Sequence, residues 1–303
     1  MRRAIVFAGL LLIAGTALGQ TCSFFPAPGA ANFGNYSVFA TGGPQTTTPT
    51  FNVRCTANNM TAYILFSRGT NSASFNPRTL LNAASGNRLN YNLYIDAANT
   101  QIWGDLSAGT SFKTVTLPTA NTPLVTPIPI YGSLTLGADV VAGSYTDSIT
   151  VTMWWNNGAW QNTSTTLNVS ATVLSECTVS AFAINFGTYE PVVANASTPL
   201  DSTSTINVFC TKNTIGNITL DNGLNFSAGA RRMKSGTNFM TYEVYRDAAR
   251  TTVWNAVNIN SGTSVSKNTG LGAPGFIAYG RIPAGQDVVA GSYSDTLQSV
   301  VNY

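Results

Sequence analysis

The sequence contains no histidine and few charged side chains. Only 9% of its 303 residues are Asp, Glu, Lys or Arg, far below the roughly 25% of an average soluble protein. Without histidine the chain lacks the usual general base and the commonest transition-metal ligand, so we predict no enzymatic activity, no metal and no other cofactor. With 15 basic and 12 acidic residues, the composition also gives no basic patch for nucleic acid.

Long apolar runs are absent except at the N-terminus. Arg2 and Arg3 precede an apolar run, residues 4–13, that is too short to span a bilayer. Small residues follow at 17–19, an order typical of a secretory signal peptide. We therefore expect residues 1–20 to act as a signal peptide that is cleaved after Gly19 or Gln20, and the mature chain to be secreted; the family resemblance described below implies a route through the periplasm to the cell surface.

Cysteine is also scarce, and no two cysteines form a CxxC pair. The four are Cys22, Cys55, Cys177 and Cys210. Both successive pairs are 33 positions apart. Of the three possible connectivities, this equal spacing favours Cys22–Cys55 and Cys177–Cys210. Export into an oxidising compartment favours these disulfides over a four-cysteine zinc site.

The equal cysteine spacing accompanies an internal repeat. Three motifs recur in the same order: FGxY at 33–36 and 186–189, YxxY at 91–94 and 242–245, and DVVAGSY at 139–145 and 287–293. Each copy has the length of one domain. The repeat therefore predicts two tandem domains, 21–174 and 175–303.

Both copies consist of short β-rich segments between turns that contain Gly and Asn, and no stretch keeps a helical period. We predict an all-β protein with two immunoglobulin-like β-sandwich domains in tandem. Asn157-Gly158 predicts a two-residue hairpin with Trp155 opposite Trp160. The next strand, 165–173, then requires a bulge or a crossover near 162–164 to turn its apolar side chains inward.

The two copies differ after the DVVAGSY motif. In the first, strand 165–173 is able to close the sandwich, whereas in the second the sequence after the matching strand runs only to Tyr303. We therefore expect the second domain to lack its last strand and to accept one from another chain. The predicted donor-strand groove comprises Phe186, Leu297, Val301 and Tyr303. The alternative is that a loop such as 194–204 covers this edge.

A cysteine near the domain start, FGxY, a strand ending in cysteine, YxxY, a tryptophan and VxxGSYxD occur in this order twice. This order resembles the spore coat protein U-like domain, which builds subunits of archaic chaperone–usher pili. The resemblance implies an incomplete sandwich whose groove is filled by a periplasmic chaperone. At an outer-membrane usher, the N-terminal strand of the adjacent pilin subunit then replaces the chaperone.

Only one or two residues of the mature sequence precede Cys22, too few for a donor strand. We therefore expect the chain to accept a strand but lend none, as the tip subunit and adhesin of a pilus does. The resemblance also implies apolar loops that bind an abiotic or host surface. The candidates are Leu124, Val125, Ile128 and Ile130 in the proline-rich segment 117–131, and Trp154 on the hairpin.

Other interpretations stay open at this point. The segment 117–131 is equally compatible with packing against the sandwich. The whole chain is also compatible with a structural role, as a spore-coat-like, extracellular matrix or minor pilin protein without adhesive function. A third class is a secreted carbohydrate-active enzyme that uses Asp147 or Asp295, although the repeat of both aspartates favours a turn or cap role.

Overall fold

The computed structural model of the protein describes residues 20–124, 126–180, 182–271 and 275–303. Strands make up 47% of the chain and helix 1%, which confirms the all-β prediction. Among the described residues, no helix has both the length and the apolar character that crossing a bilayer requires. Of the predicted signal peptide, residues 1–19 lie outside the described residues, as does Val125.

The first repeat forms the N-terminal domain. Its strands are β1 (Cys22–Phe24), β2 (Ala31–Tyr36), β3 (Gln45–Thr47), β4 (Thr50–Phe51), β5 (Val53–Cys55), β6 (Met60–Phe66), β7 (Arg78–Leu81), β8 (Arg88–Tyr94), β9 (Lys113–Leu117), β10 (Ile128–Pro129), β11 (Tyr131–Leu134), β12 (Gly143–Asn156) and β13 (Trp160–Val173). A 3-10 turn, Ser107–Gly109, precedes β9.

Strands β12 and β13 organise this domain. They pair along their full length, from Gly143–Val173 to Asn156–Trp160. Strand β2 pairs in parallel with the other edge of β13. Strand β12 contacts β7 near its start and β6 near its end, so it connects the two layers of the sandwich. Strand β13 is consequently enclosed between β2 and β12.

Alternation of apolar and polar residues creates the core between the layers. In β6 every second side chain, from Met60 to Phe66, is buried. Trp103 is fully buried and stacks on Phe66, with ring centroids 4.1 Å apart. The buried side chains of β13 are Leu167, Val169, Ala171 and Val173.

The hairpin between β12 and β13 differs from the prediction. Its loop has three residues, 157–159, so that Asn156 lies opposite Trp160 and Trp155 lies opposite Gln161. The added loop residue shifts β13 by one position, and its apolar side chains then face inward without a break in the pairing. The prediction of a bulge or crossover near 162–164 is therefore wrong.

The second repeat forms the C-terminal domain. Its strands are β14 (Cys177–Val179), β15 (Leu200–Ile206), β16 (Val208–Cys210), β17 (Ile215–Leu220), β18 (Arg231–Ser235), β19 (Asn238–Tyr245), β20 (Asn260–Thr263), β21 (Phe276–Ile282) and β22 (Ser299–Asn302). One sheet has the order β15-β21-β19-β18 and another β20-β17-β22. The predicted boundary, between residues 174 and 175, falls between β13 and β14.

Each domain holds one disulfide at the same place. Cys22–Cys55 joins β1 to β5, and Cys177–Cys210 joins β14 to β16. These are the pairs that the equal spacing favours. A second shared feature is a buried tryptophan, whose indole nitrogen donates a 2.9 Å hydrogen bond to a strand carbonyl: Trp103 to Ile64 and Trp254 to Ile218.

Candidate functional site

An open groove lies in the C-terminal domain between residues 182–189 and 291–297. It consists of two adjoining cavities of about 820 and 320 Å³. Both cavities are lined by Ile184, Phe186, Met233 and Tyr293. Among the described residues, no backbone hydrogen bond joins the two flanking segments across this space. We call it the C-terminal groove.

In the N-terminal domain, β13 occupies the equivalent space. The repeat aligns β2 with residues 184–189 and the first residues of β12 with 291–297. Strand β13 pairs with both β2 and β12 and fills the gap between them. Four alternating apolar side chains of β13 point into the core, each at most 2% exposed. The C-terminal groove therefore has the position and the apolar lining for one extended segment of alternating pattern.

The floor of the groove is apolar and adaptable. Met233 and Met240 are 8% and 6% exposed, and methionine fits irregular apolar partners. Phe186 packs over Gly280, where a Cβ would lie 2.7 Å from the ring. Phe186 also meets Tyr242 edge to face, with ring centroids 6.2 Å apart. The floor thus presents side chains that an inserted apolar strand is able to contact.

Asp295 fixes one wall of the groove to this floor. Its carboxylate accepts a 2.7 Å hydrogen bond from the Tyr242 hydroxyl and a 2.9 Å bond from the Asn225 amide. Burial and the hydrogen bond to Asp295 raise the pKa of Tyr242 above its ordinary value. Asp147 has the same role in the N-terminal domain, where the Tyr91 hydroxyl donates to it. Both aspartates therefore act as structural anchors.

The described residues contain no group of three His, Cys, Asp or Glu side chains that is placed to hold a metal ion. The two anchoring aspartates lie in different domains, and each accepts a hydrogen bond from a tyrosine of its own domain.

Two of the predicted groove residues line the groove and two do not. Phe186 and Leu297 line it. Val301 and Tyr303 border neither cavity, and their role in the groove stays a prediction, because β22 pairs with β17 along one edge and has no partner along the other among the described strands. Val301 lies opposite Ile218, and Tyr303 is 60% exposed.

Sequence reasoning missed most of the groove lining. The missed residues are Phe182, Ile184, Met233, Met240, Tyr242 and Tyr293. A signal for some of them is present in the sequence, because Phe182 and Ile184 alternate with small or polar residues up to Phe186, the first residue of FGTY. That pattern is typical of a strand that faces an apolar partner.

The predicted surface-binding segment is mostly packed against the sandwich. Ile128 and Ile130 are 4% and 0% exposed, so the prediction that they contact a surface is wrong. Ile128 pairs with Phe51, which holds it in the core. The Asn52 side chain bonds both the N–H and the carbonyl of Leu124, at 3.0 and 2.8 Å, and Leu124 is half-buried.

Trp154 lies in an exposed cluster on the outer face of the N-terminal sandwich. The cluster comprises Tyr63, Leu65, Leu106, Phe112, Trp154 and Trp160, and we call it the aromatic patch. Leu106 and Trp160 are 61% and 59% exposed. The Tyr63 ring lies 5.7 Å from Trp160 and 5.8 Å from Phe112, centroid to centroid. An exposed apolar surface of this kind usually marks an interaction site.

Four residues of the aromatic patch lie outside the hairpin and were missed because they come from separate segments. Tyr63 and Leu65 belong to β6, Leu106 precedes the 3-10 turn, and Phe112 precedes β9. The sequence of β6 partly indicates the patch, because its outward-facing positions carry Tyr63 and Leu65 where polar residues are expected.

Comparison with known proteins relates both halves of the chain to one family. The family model of the Spore Coat Protein U domain matches residues 9–152 and 163–299. Protein U of Myxococcus xanthus is 35% identical over 152 residues, which cover 45% of this chain and 83% of that protein. The repeat seen in the sequence therefore corresponds to two copies of one described domain.

A solved structure shows the same two-domain fold. It is the crystal structure of the CsuC–CsuE chaperone–tip adhesion subunit pre-assembly complex from the archaic chaperone–usher Csu pili of Acinetobacter baumannii. The similarity to its tip subunit CsuE covers 93% of this chain and 100% of the other, with a TM-score of 0.54 and 20% sequence identity. At this identity the similarity establishes the fold, which is of the immunoglobulin-like pilin type.

Proposed function

This chain belongs to the Spore Coat Protein U domain family, and from that premise we propose that it is the tip adhesin of a chaperone–usher pilus. In the proposed assembly, the C-terminal groove accepts a donor strand from the adjacent pilin subunit. The N-terminal domain binds an abiotic or host surface through the aromatic patch. A periplasmic chaperone fills the groove first, and an outer-membrane usher exchanges it for the pilin strand at the cell surface.

The contrast between the two domains carries this proposal. The N-terminal domain encloses β13 between β2 and β12, and the C-terminal domain has an apolar groove at the same place. A strand added there gains main-chain hydrogen bonds along its edges and buries alternate side chains, which is the mode of β-augmentation. The similarity to the fold of a chaperone-bound tip subunit supports the same interpretation.

The aromatic patch supports the adhesive part of the proposal. It lies on the domain that already contains its full set of strands, and so remains available when the other domain is docked. Its rings and the Leu106 side chain offer dispersion and hydrophobic contact to an apolar surface. The disulfide in each domain fits the oxidising compartments through which such a subunit passes.

The similarity to Protein U favours a second candidate, a structural coat-like or matrix protein without adhesive role. Stoichiometry separates the two candidates. A tip adhesin is present at about one copy per fibre, whereas a coat protein is abundant in its assembly. Quantitative mass spectrometry of purified surface material measures this ratio directly.

A peptide tests the proposed strand acceptance. Its sequence is that of β13, residues 160–173, the strand that fills the N-terminal domain. Added to the full chain in large excess over its Kd, it should stabilise the C-terminal domain by about 2.7 kcal/mol at 100 times Kd. Differential scanning calorimetry should then show a saturable rise in the unfolding temperature of that domain.

Two variants make this test specific. Leu297→Asp places a charge in the groove and should abolish the rise. Val300→Asp is the matched control: Val300 is 42% exposed and lines neither cavity of the groove, so the rise should persist. No rise with the unmodified chain, or an equal rise with Leu297→Asp, would exclude groove occupancy.

A further inference from the structure

A lysine of the C-terminal domain forms hydrogen bonds with loops at one end of the N-terminal domain. Lys267 lies in the turn between β20 and β21, and its ammonium donates hydrogen bonds to the carbonyls of Val38 and Gly137, at 2.8 and 2.6 Å. Its backbone N–H donates a 2.9 Å bond to the Asp139 carboxylate. Bonds from an ammonium are charge-assisted, so this single residue makes a strong contact between the domains.

Two further contacts complete this interface. Val141 forms an isolated parallel bridge with Lys212. The Val38 N–H donates a 2.9 Å bond to the Glu176 carboxylate. We call the docked end of the N-terminal domain the first junction surface, defined by Val38, Gly137, Asp139 and Val141.

The repeat places an equivalent surface on the C-terminal domain. Its residues are Pro191, Gly285, Asp287 and Val289, and we call it the second junction surface. The same hydrogen bond stabilises both surfaces from within their own domain. The Tyr36 hydroxyl accepts a 2.9 Å bond from the N–H of Ala138, and the Tyr189 hydroxyl accepts a 3.0 Å bond from the N–H of Gln286.

The loops that carry Asp139 and Asp287 are also stabilised by equivalent hydrogen bonds in the two domains. The Tyr145 hydroxyl donates to the Val141 carbonyl and the Tyr293 hydroxyl to the Val289 carbonyl, each at 2.8 Å. Gly137 and Gly285 both adopt positive φ, at 88° and 69°. The second junction surface therefore has the same tyrosine hydrogen bonds and the same positive-φ glycine as the first before any partner is added.

The two surfaces differ in how far they are covered. Asp139 and Val141 are half-buried beneath the C-terminal domain. Their equivalents, Asp287 and Val289, are exposed, Val289 at 60%. Among the described residues, no side chain or N–H donates a hydrogen bond to the Asp287 carboxylate.

We propose that the second junction surface docks another domain of this family, in the arrangement that the C-terminal domain adopts on the first junction surface. The partner presents a lysine on a tight turn. Its ammonium caps the carbonyls of Pro191 and Gly285, and the turn N–H donates to Asp287. This rests on the proposed function, because the docked domain belongs to the subunit that lends its strand to the C-terminal groove.

One sequence difference between the two junction surfaces limits which contacts the partner is able to make. Pro191 stands where the first surface has Val38, and proline has no N–H to donate. The contact made by Glu176 therefore has no equivalent at the second surface. The partner needs the lysine turn but no carboxylate beside it.

An extended chain tests this docking without an identified partner. The extended chain is the full sequence followed by a second copy of residues 156–303. By the repeat, Tyr303 is equivalent to Trp155, so the added residues follow Tyr303 as Asn156 follows Trp155 in the N-terminal domain. The added copy supplies β13 to the C-terminal groove and a third domain that carries a copy of Lys267. Small-angle X-ray scattering should show a rigid particle in which the third domain does not move independently.

Charge reversals locate the contact. Asp287→Lys in the middle domain should free the third domain, which broadens the distance distribution while the unfolding temperature is unchanged. Asp139→Lys is the matched control, because it should free only the first domain. If the third domain already moves independently in the extended chain without Asp287→Lys, the proposed docking is wrong.

A shorter chain separates this result from a failure of the proposed function. It carries only residues 156–174 after Tyr303, and thus adds the strand without the third domain. If it is no more stable than the original chain, groove occupancy itself fails. If it is stabilised while the third domain of the longer chain stays loose, the groove accepts a strand and only the docking is wrong.

Discussion

Tyr242 and Asp295 are joined by a 2.7 Å hydrogen bond that connects the floor of the C-terminal groove to its wall. Tyr91 and Asp147 form the same 2.7 Å bond beneath β13 in the N-terminal domain. Asp147 is 3% exposed, whereas Asp295 is half-buried at the open groove. One anchor thus lies under a complete sheet and the other at its unfilled equivalent.

The first prediction concerns alkaline pH. Burial and the Asp295 carboxylate raise the pKa of Tyr242 above its ordinary 10.0, so the folded state holds the phenol proton more tightly than the unfolded chain. This contribution to stability is complete below pH 10 and is lost as pH rises above 10, where only the unfolded chain ionises readily. Urea unfolding between pH 8 and 11 should show the loss, and Tyr242→Phe should make it shallower. An unchanged pH dependence in Tyr242→Phe would contradict the assignment.

The second prediction concerns a glycine beside the same aspartate. Gly223 has φ of 79°, and a Cβ there would lie 2.2 Å from Asp295 Oδ2. Gly223→Ala should therefore displace the carboxylate and cost about 2–4 kcal/mol of unfolding free energy. Gly229→Ala is the control, because Gly229 has φ of 80° with nothing within 4 Å of a Cβ. It should cost only about 1–2 kcal/mol, for the backbone conformation, and equal losses in urea unfolding would speak against the clash.

The third prediction concerns the domains as separate proteins. Residues 21–174 contain β13 and should fold alone, with one cooperative unfolding transition. Residues 175–303 expose the C-terminal groove and should aggregate or unfold at a lower temperature. The β13 peptide, residues 160–173, should restore them. Equal stability of the two fragments without peptide, measured by calorimetry, would remove the distinction between the domains.

The repeat made much of this fold predictable. The two DVVAGSY motifs occupy the same position in both domains, because the same tyrosines bond the same loop carbonyls. Local alternation identified β13, whose apolar side chains fill the N-terminal interior. The hairpin loop was misjudged by one residue, since Asn-Gly is compatible with more than one loop length and only the pairing of Asn156 with Trp160 resolves it.

The candidate sites were less predictable, because they depend on long-range contacts. Ile128 is buried through its pairing with Phe51 in β4, and Asn52 bonds Leu124 across 72 positions of sequence. A proline-rich segment shows no periodicity that would reveal such packing. Val301 illustrates the same limit, because its pairing with Ile218 in β17 is a contact that the local pattern of β22 does not reveal.

The last prediction concerns the aromatic patch. Trp160 and Leu106 are more than half exposed, so replacing both with serine should leave the unfolding temperature nearly unchanged. An apolar side chain that is buried on contact contributes about 2 kcal/mol. The double variant should therefore lose at least about tenfold in affinity for polystyrene, measured by quartz crystal microbalance.

The control is Val192→Ser in the C-terminal domain, where the side chain is 79% exposed but lies outside the patch. It should adsorb like the unmodified chain, because a single scattered apolar residue offers no contiguous surface. Ammonium sulfate should strengthen adsorption of the unmodified chain, since excluded salts favour apolar contact. If Trp160→Ser with Leu106→Ser adsorbs as well as Val192→Ser does, the patch is not the adhesive surface, and the N-terminal domain must use another face.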